Sequence, residues 1–176
     1  MKKRIVKVFN KGENDLPNYS TELSAGFDIR ADLSRVYKPE DLVGDDKFFN
    51  LIIPDKGPKS IILFEGGCRI LIPTGLYVAI PDGYELQIRP RSGLALKNGV
   101  TIMNSPGTID ADYRGEIGLI IINTDPNKQF EIKHGDRIAQ GVLKEVEQII
   151  WEKVDFLNDL GDTVRGEGGF NSTGKH

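Results

Sequence analysis

The sequence predicts an all-β fold, a sandwich or barrel carrying one short helix. Three observations lead there. From Ser60 onward the chain is a succession of short apolar runs. Those runs are divided at fairly even spacing by glycine, proline and Asn/Asp clusters, the residues that make tight turns. Only Ser92–Lys97 in that half has helical character, and it is too short to cross a core.

In order, Lys3–Phe9 alternates as a first strand, with Ile5 and the apolar positions near it facing the core. Residues 10–20 are polar and turn-rich. Ala25–Ala31 resumes an extended pattern. Residues 33–60 are charged, contain three prolines and the Gly44-Asp45-Asp46 cluster, and read as a surface insertion with a short helix near Pro39–Leu42. Strands are expected at Ile61–Phe64, Cys68–Ile72, Leu76–Ile80, Tyr84–Ile88, Val100–Met103, Ile117–Ile122 and Gln129–Ile132. Their separators are Gly66-Gly67, Pro73, Gly75, Pro81-Asp-Gly83, Gly99, Pro106-Gly107 and Asp125-Pro126. Val142–Val154 is ambiguous by periodicity, and its Val, Ile and Trp content favours strand. Arg165–His176 has four glycines and little apolar content. It reads as a mobile C-terminal arm, leaving residues 1–164 as the β domain.

A chain of 176 residues is expected to form one domain with a real core. A net charge of −3 argues against a broad nucleic-acid footprint, so any polyanion must meet a local arginine cluster or a metal ion. Cys68 is the single cysteine, which excludes an intrachain disulfide and fits a buried structural thiol. The basic N-terminus lacks the apolar core of a signal peptide, and no run approaches the ~20 residues needed to span a bilayer. A cytoplasmic location and no membrane partner are the default expectations.

Two stretches carry chemistry. Arg89-Pro-Arg91-Ser92-Gly93-Leu94 places arginines, a hydroxyl and a glycine where a strand runs into the short helix. With Ser92 as helix cap, the outward N–H groups and Arg91 would cradle an anion; solvated arginines beside an ordinary cap are the structural alternative. Residues 104–118 contain the Pro106-Gly107 turn, then Asp110, Asp112, Tyr113, Arg114 and Gly115. Residues two apart in an extended chain share a face, so Asp110, Asp112 and Arg114 would line one side. By spacing alone this is either a hairpin with an Asp112–Arg114 ion pair or a general base beside a nucleotide. Gly169–Lys175 has Gly-x4-Gly-Lys spacing, but His176 follows and no helix can, so it is not a P-loop. Its Ser172, Thr173 and nearby Arg165 remain suitable phosphate ligands, and Phe170 a stacking surface. His134 and His176 form no ligand-spaced cluster, so the metal suited to these hard carboxylates is Mg²⁺ brought by a triphosphate.

Five segments in order closely resemble the motifs of the trimeric deoxyuridine triphosphatase (dUTPase) family. They are Ala25-Gly-Phe-Asp28-Ile-Arg-Ala31, Arg89-Pro-Arg-Ser-Gly-Leu-Ala95, Gly107-Thr-Ile-Asp-Ala-Asp-Tyr-Arg-Gly115, Gly135-Asp-Arg-Ile-Ala-Gln140 and Arg165-Gly-Glu-Gly-Gly-Phe-Asn-Ser-Thr-Gly174. The resemblance implies a jelly-roll β-sandwich and a homotrimer whose active sites lie at subunit contacts, each closed by a neighbour's arm. It implies hydrolysis of dUTP to dUMP and pyrophosphate, which limits uracil incorporation into DNA and supplies dUMP for thymidylate synthesis. Asp110 would activate the water that attacks the α-phosphorus. Tyr113 would exclude a 2′-hydroxyl, and Asn104, Gly107, Thr108 and Ile109 would read uracil. Arg91, Ser92, Gly93 and Gln140 would hold phosphates, and Asp28 the Mg²⁺ through water. Phe170 would stack on uracil while Arg165, Ser172 and Thr173 close on the γ-phosphate.

The resemblance has two departures: Asn171 stands where the family usually has glycine, and residues 33–60 are longer than expected between the first two motifs. A dCTP deaminase, which shares the fold, would need a glutamate where Gly115-based alignment places Ile120. A non-catalytic nucleotide-sensing trimer is the other alternative. It leaves the full set of polar groups unexplained.

Overall fold

The computed structural model describes residues 3–168, built mainly of antiparallel strands. The chain through Val146 forms one compact unit, and the chain from Glu147 forms a second. The expected boundary after residue 164 falls inside that second unit.

The strands are β1 (Lys7–Asn10), β2 (Phe27–Arg30), β3 (Val43–Gly44), β4 (Phe49–Ile52), β5 (Ser60–Leu63), β6 (Arg69–Ala79) and β7 (Tyr84–Pro90). Helix α1 (Ser92–Asn98) follows, then β8 (Val100–Ile102), β9 (Gly107–Ile109), β10 (Glu116–Asn123), β11 (Phe130–Lys133) and β12 (Arg137–Glu145). One sheet runs β1-β6-β10-β8, with β3 also on β6; a second runs β11-β5-β4; a third runs β2-β12-β7-β9. The core is aliphatic. Strand β10 shows the cause, alternating strictly so that Ile117, Leu119 and Ile121 turn inward. They meet Ile29, Ile61, Leu63, Ile70, Ile72 and Ile132, all buried. Each such side chain contributes roughly 1.5–3 kcal/mol by leaving water.

Several elements differ from the sequence expectation. Strand β1 begins at Lys7, and Ile5 is 90% exposed rather than facing the core. Residues 33–60 are more than a surface excursion: Leu33, Val36, Leu42 and Phe49 are buried, and β3, β4 and β5 pair into two sheets. The expected short helix is there as a 3-10 turn at Pro39–Asp41. Strand character in Val142–Val154 stops at Glu145.

The runs Cys68–Ile72 and Leu76–Ile80 fuse into the single strand β6, through Pro73 and Gly75. The ladder to β10 slips there, between Glu116 and Gly118. Side chains replace the lost backbone bonds, as buried polar groups require. The Thr74 hydroxyl donates to the Ile117 carbonyl at 2.6 Å, and the Glu116 carboxylate accepts from Gly75 N–H at 2.8 Å.

A second polar joint ties loops to the core. Asp32 is fully buried, accepting from Glu13 N–H at 2.8 Å, from Ser34 N–H at 3.0 Å and from the Ser34 hydroxyl. His134 Nδ1 lies 4.0 Å from it and accepts from Leu33 N–H at 3.0 Å. Gly12 makes room, since a Cβ there would sit 1.8 Å from Asp32 Oδ2. Gly75, at φ +75°, lies so near that its own Cβ would be 2.7 Å from Gly12 N.

Candidate active site

The first four motifs lie on or at the ends of strands of one sheet, in the spatial order β2-β12-β7-β9. Register sets Gln140 opposite Asp28 on one side and opposite Arg89 on the other. Strand β7 then delivers Arg91, whose extended backbone turns the chain into α1. Arg91 Nε meets Asp28 Oδ1 at 2.9 Å, and Arg137 Nη1 meets Asp28 Oδ2 at 3.1 Å. Arg91 Nη1 also donates to the Arg137 carbonyl at 2.7 Å, and Gln140 Nε2 to the Pro90 carbonyl at 2.8 Å. Asp28, Arg91, Ser92, Gly93, Arg137 and Gln140 line a cleft of about 310 Å³.

Helix α1 is capped by the Arg91 backbone without a side-chain bond, so Ser92 is its first residue and not, as expected, its cap. The Leu94 and Ala95 N–H groups both use the Arg91 carbonyl at 3.1 Å. The N–H groups of Ser92 and Gly93 have no acceptor inside the helix. Open space surrounds a Cβ placed on Gly93, so packing does not demand that glycine, and the cleft keeps its room. Two guanidinium groups against one carboxylate leave the cleft net positive, suited to a polyphosphate.

The motif-three residues form a separate cluster. Strand β9 pairs with β7 through Ile109 opposite Leu86 and Gly107 opposite Ile88. The Asn104 amide packs on Gly107, where a Cβ would come within 3.1 Å of its nitrogen, and the Ser105–Pro106 bond is cis. Asp110 stands exposed just past β9, and Thr108 is exposed beside it. Tyr113 N–H closes the turn on the Asp110 carbonyl at 3.2 Å. The expected Asp112–Arg114 pair is absent: Arg114 Nη1 donates to the Ala111 and Tyr113 carbonyls at 2.6 and 2.8 Å. Tyr113 folds over Gly115, whose Cβ would lie 2.2 Å from the phenol oxygen, and its hydroxyl donates to the Glu116 carbonyl at 3.0 Å.

Strand β9 lies at the opposite edge of this sheet from β2, and its pairing sets Ile109 beside Leu86, well before Arg91 on β7. Asp110 does not line the cleft, and the expectation that it sits beside the phosphate cradle is not met within one chain. Arg165 belongs to the second unit, exposed, with Nε on the Gly168 carbonyl at 2.8 Å. Phe170, Ser172 and Thr173 lie outside the described residues. Sequence reasoning missed Arg137, although it sits inside the fourth motif. Plain alternation would send Arg137 and Gln140 to opposite faces, but the β12 register slips between Arg137 and Ala139 and both reach the cleft.

Among the described residues, no group of three or more His, Cys, Asp or Glu side chains could cage a metal. Asp28 is the single carboxylate lining the cleft, so the donor set there fits a hard cation such as Mg²⁺ only if a bound ligand supplies most of its oxygens.

Comparison with known proteins decides the family. The dUTPase family model matches residues 56–174. The chain belongs to the dUTPase family. The deoxyuridine 5'-triphosphate nucleotidohydrolase of Fusobacterium nucleatum is 44% identical over 99% of this chain and 100% of its own length. That of Caulobacter vibrioides is 47% identical over 93% of this chain and 90% of its own. The dUTPase of Staphylococcus bacteriophage 80alpha, solved with dUPNHPP, superposes with a TM-score of 0.70 at 22% identity, over 98% of this chain and 99% of that one. A point mutant of the dUTPase from phage phi11 of S. aureus, which coordinates a structural Mg(II) ion, gives 0.65 at 20% identity over 88% and 99%. The dUTPase fold, an all-β jelly-roll-like architecture, is thus that of this chain.

Proposed function

We propose that this dUTPase-family chain hydrolyses dUTP to dUMP and pyrophosphate in the cytoplasm, as a homotrimer. The reaction limits uracil incorporation into DNA and supplies dUMP for thymidylate synthesis. The observation that carries the reading is the positive cleft where Arg91 and Arg137 flank Asp28 beside the uncapped start of α1. It matches a triphosphate in charge and in donor type. The exposed Asp110 cluster supplies what the cleft lacks, a carboxylate base, and a second copy of the chain brings it there.

In this mechanism Arg91, Arg137, Gln140 and the Ser92–Gly93 N–H groups bind and orient the phosphates. Asp110 takes a proton from the water that attacks the α-phosphorus, and pyrophosphate leaves. Such a base typically supplies about 10²–10⁴ in rate. Asn104 and the Gly107–Ile109 backbone read uracil, and the Tyr113 ring occupies the space a 2′-hydroxyl would need. Mg²⁺, when bound with the substrate and held through water by Asp28, would offset the negative charge that develops on pyrophosphate. The arm of a neighbouring chain, through Arg165, Phe170, Ser172 and Thr173, closes the site against bulk water. Ile120, where a deaminase would need glutamate, pairs with Leu71 in the β10–β6 ladder and cannot relay a proton.

Pyrophosphate release across dUTP, dCTP, dTTP and UTP with Mg²⁺ tests the substrate. Asp110→Asn should keep dUTP binding by calorimetry while turnover falls at least about a hundredfold. Turnover at the wild-type rate would remove Asp110 from the mechanism.

A further inference from the structure

Where β6 kinks against β10, one carboxylate holds three partners. Glu116 Oε1 accepts from Arg35 Nη2 at 2.6 Å and from Gly75 N–H at 2.8 Å, and Oε2 accepts from the Tyr77 hydroxyl at 3.2 Å. Glu116 is also the residue on which the Asp110–Gly115 turn lands, and its carbonyl receives the Tyr113 hydroxyl at 3.0 Å. Arg35 comes from the far side of the chain, in the long segment after the first motif. Its Nε is enclosed and has no hydrogen-bond partner among the described residues. An enclosed donor without an acceptor destabilises the fold, so packing alone does not account for an arginine there. What the guanidinium does achieve is to fix Glu116, and through Glu116 the end of the Tyr113 turn. Gly115 leaves room for the ring, since a Cβ there would lie 2.2 Å from the Tyr113 hydroxyl oxygen.

We propose that Arg35 and Glu116 are positioning residues for substrate selection: they set the height of the Tyr113 ring, and with it the discrimination of deoxyribose from ribose triphosphates. This rests on the reading of Tyr113 as the sugar gate given above. Asp110 escapes the effect because it follows directly on β9, whose register is fixed independently by Ile109 opposite Leu86. The signature is therefore a loss of selectivity with chemistry retained, which a general loss of stability would not produce.

The test compares kcat and KM for dUTP and UTP in the full-length wild type and in Arg35→Met, Arg35→Lys, Glu116→Gln and Tyr113→Ala, with melting temperatures recorded for each. Arg35→Met fills the same space without the enclosed donor. It should fold, keep kcat for dUTP within about threefold, and lower the dUTP/UTP ratio of kcat/KM by about tenfold. Arg35→Lys, which can still reach Glu116, should restore most of the ratio. Glu116→Gln should lower it as Arg35→Met does; if that variant proves too unstable to assay, the two Arg35 variants decide. A collapsed ratio in Tyr113→Ala with an unchanged ratio in Arg35→Met would overturn the positioning role and leave the sugar gate standing. An unchanged ratio in Tyr113→Ala would overturn the gate itself, and this inference with it.

Discussion

Asp28 shows how far a single residue could be read in advance. Its place in the first motif implied a role toward Mg²⁺ through water; the structure shows it paired with Arg91 and Arg137 in the cleft. Its partners were not legible, because an ion pair across strands depends on register, and register is not written in one strand. Arg137 was hidden for the same reason, by a slip in the β12 ladder. Arg114 misled in the opposite way: local spacing suggested Asp112, but the tight turn presents carbonyls at shorter reach. Cys68, expected to be a buried structural thiol, is only half-buried. Partial burial pushes the thiol above its ordinary pKa, and the Glu65 and Asp45 carboxylates push it further. Less thiolate forms at neutral pH, and the thiolate is the nucleophile. At pH 7.5 Cys68 should react with a disulfide reagent at least about tenfold more slowly than a cysteine peptide, and at the peptide rate in denaturant.

Among elements, the strands with strict alternation were legible and those made by long-range pairing were not. Strand β10 could be drawn from its isoleucines. Strand β6 could not, because Pro73 and Gly75 are turn residues in any short window, and only the Thr74 and Glu116 side chains make them tolerable inside a strand. Residues 33–60 looked like decoration because charges, three prolines and the Gly44-Asp45-Asp46 cluster interrupt their apolar positions, yet Leu33, Val36 and Phe49 each find the core. The Asp32 joint controls how these elements respond to acid. Burial raises this carboxyl's pKa, but the Ser34 hydroxyl, the Glu13 and Ser34 N–H groups and His134 together bring it below the ordinary aspartate value. A carboxyl depressed by folding stabilises the protein above its unfolded pKa, about 3.9, and that contribution is lost as pH falls through the lower folded value. Asp32→Asn should therefore lower the urea midpoint at pH 7 and flatten its decline below about pH 4 relative to wild type. Parallel curves for the two proteins would mean that Asp32 is not the group being titrated.

On the scale of the molecule, the fold class and the motif segments were legible, but the placing of Asp110 outside the Arg91–Asp28–Arg137 cleft was not. It follows from the register of β9 on β7, which sets Ile109 opposite Leu86 and so away from the Arg91 end of that strand. A site shared between copies makes a quantitative prediction. Under the proposed assembly, in which each site draws its halves from different chains, Asp110→Asn and Arg91→Ala, each inactive alone, should regain about a quarter of wild-type turnover when co-assembled in equal amounts. No recovery in a verified mixed assembly would place both halves in one chain. The crossing of Gly12 and Gly75 limits what can be engineered into this chain. Neither position can accept a side chain while the other backbone passes so close, and Asp32 closes the remaining side. The two glycines therefore act as one constraint: the loops on either side can change length without cost at this point, but a side chain at either glycine forces the other backbone to move.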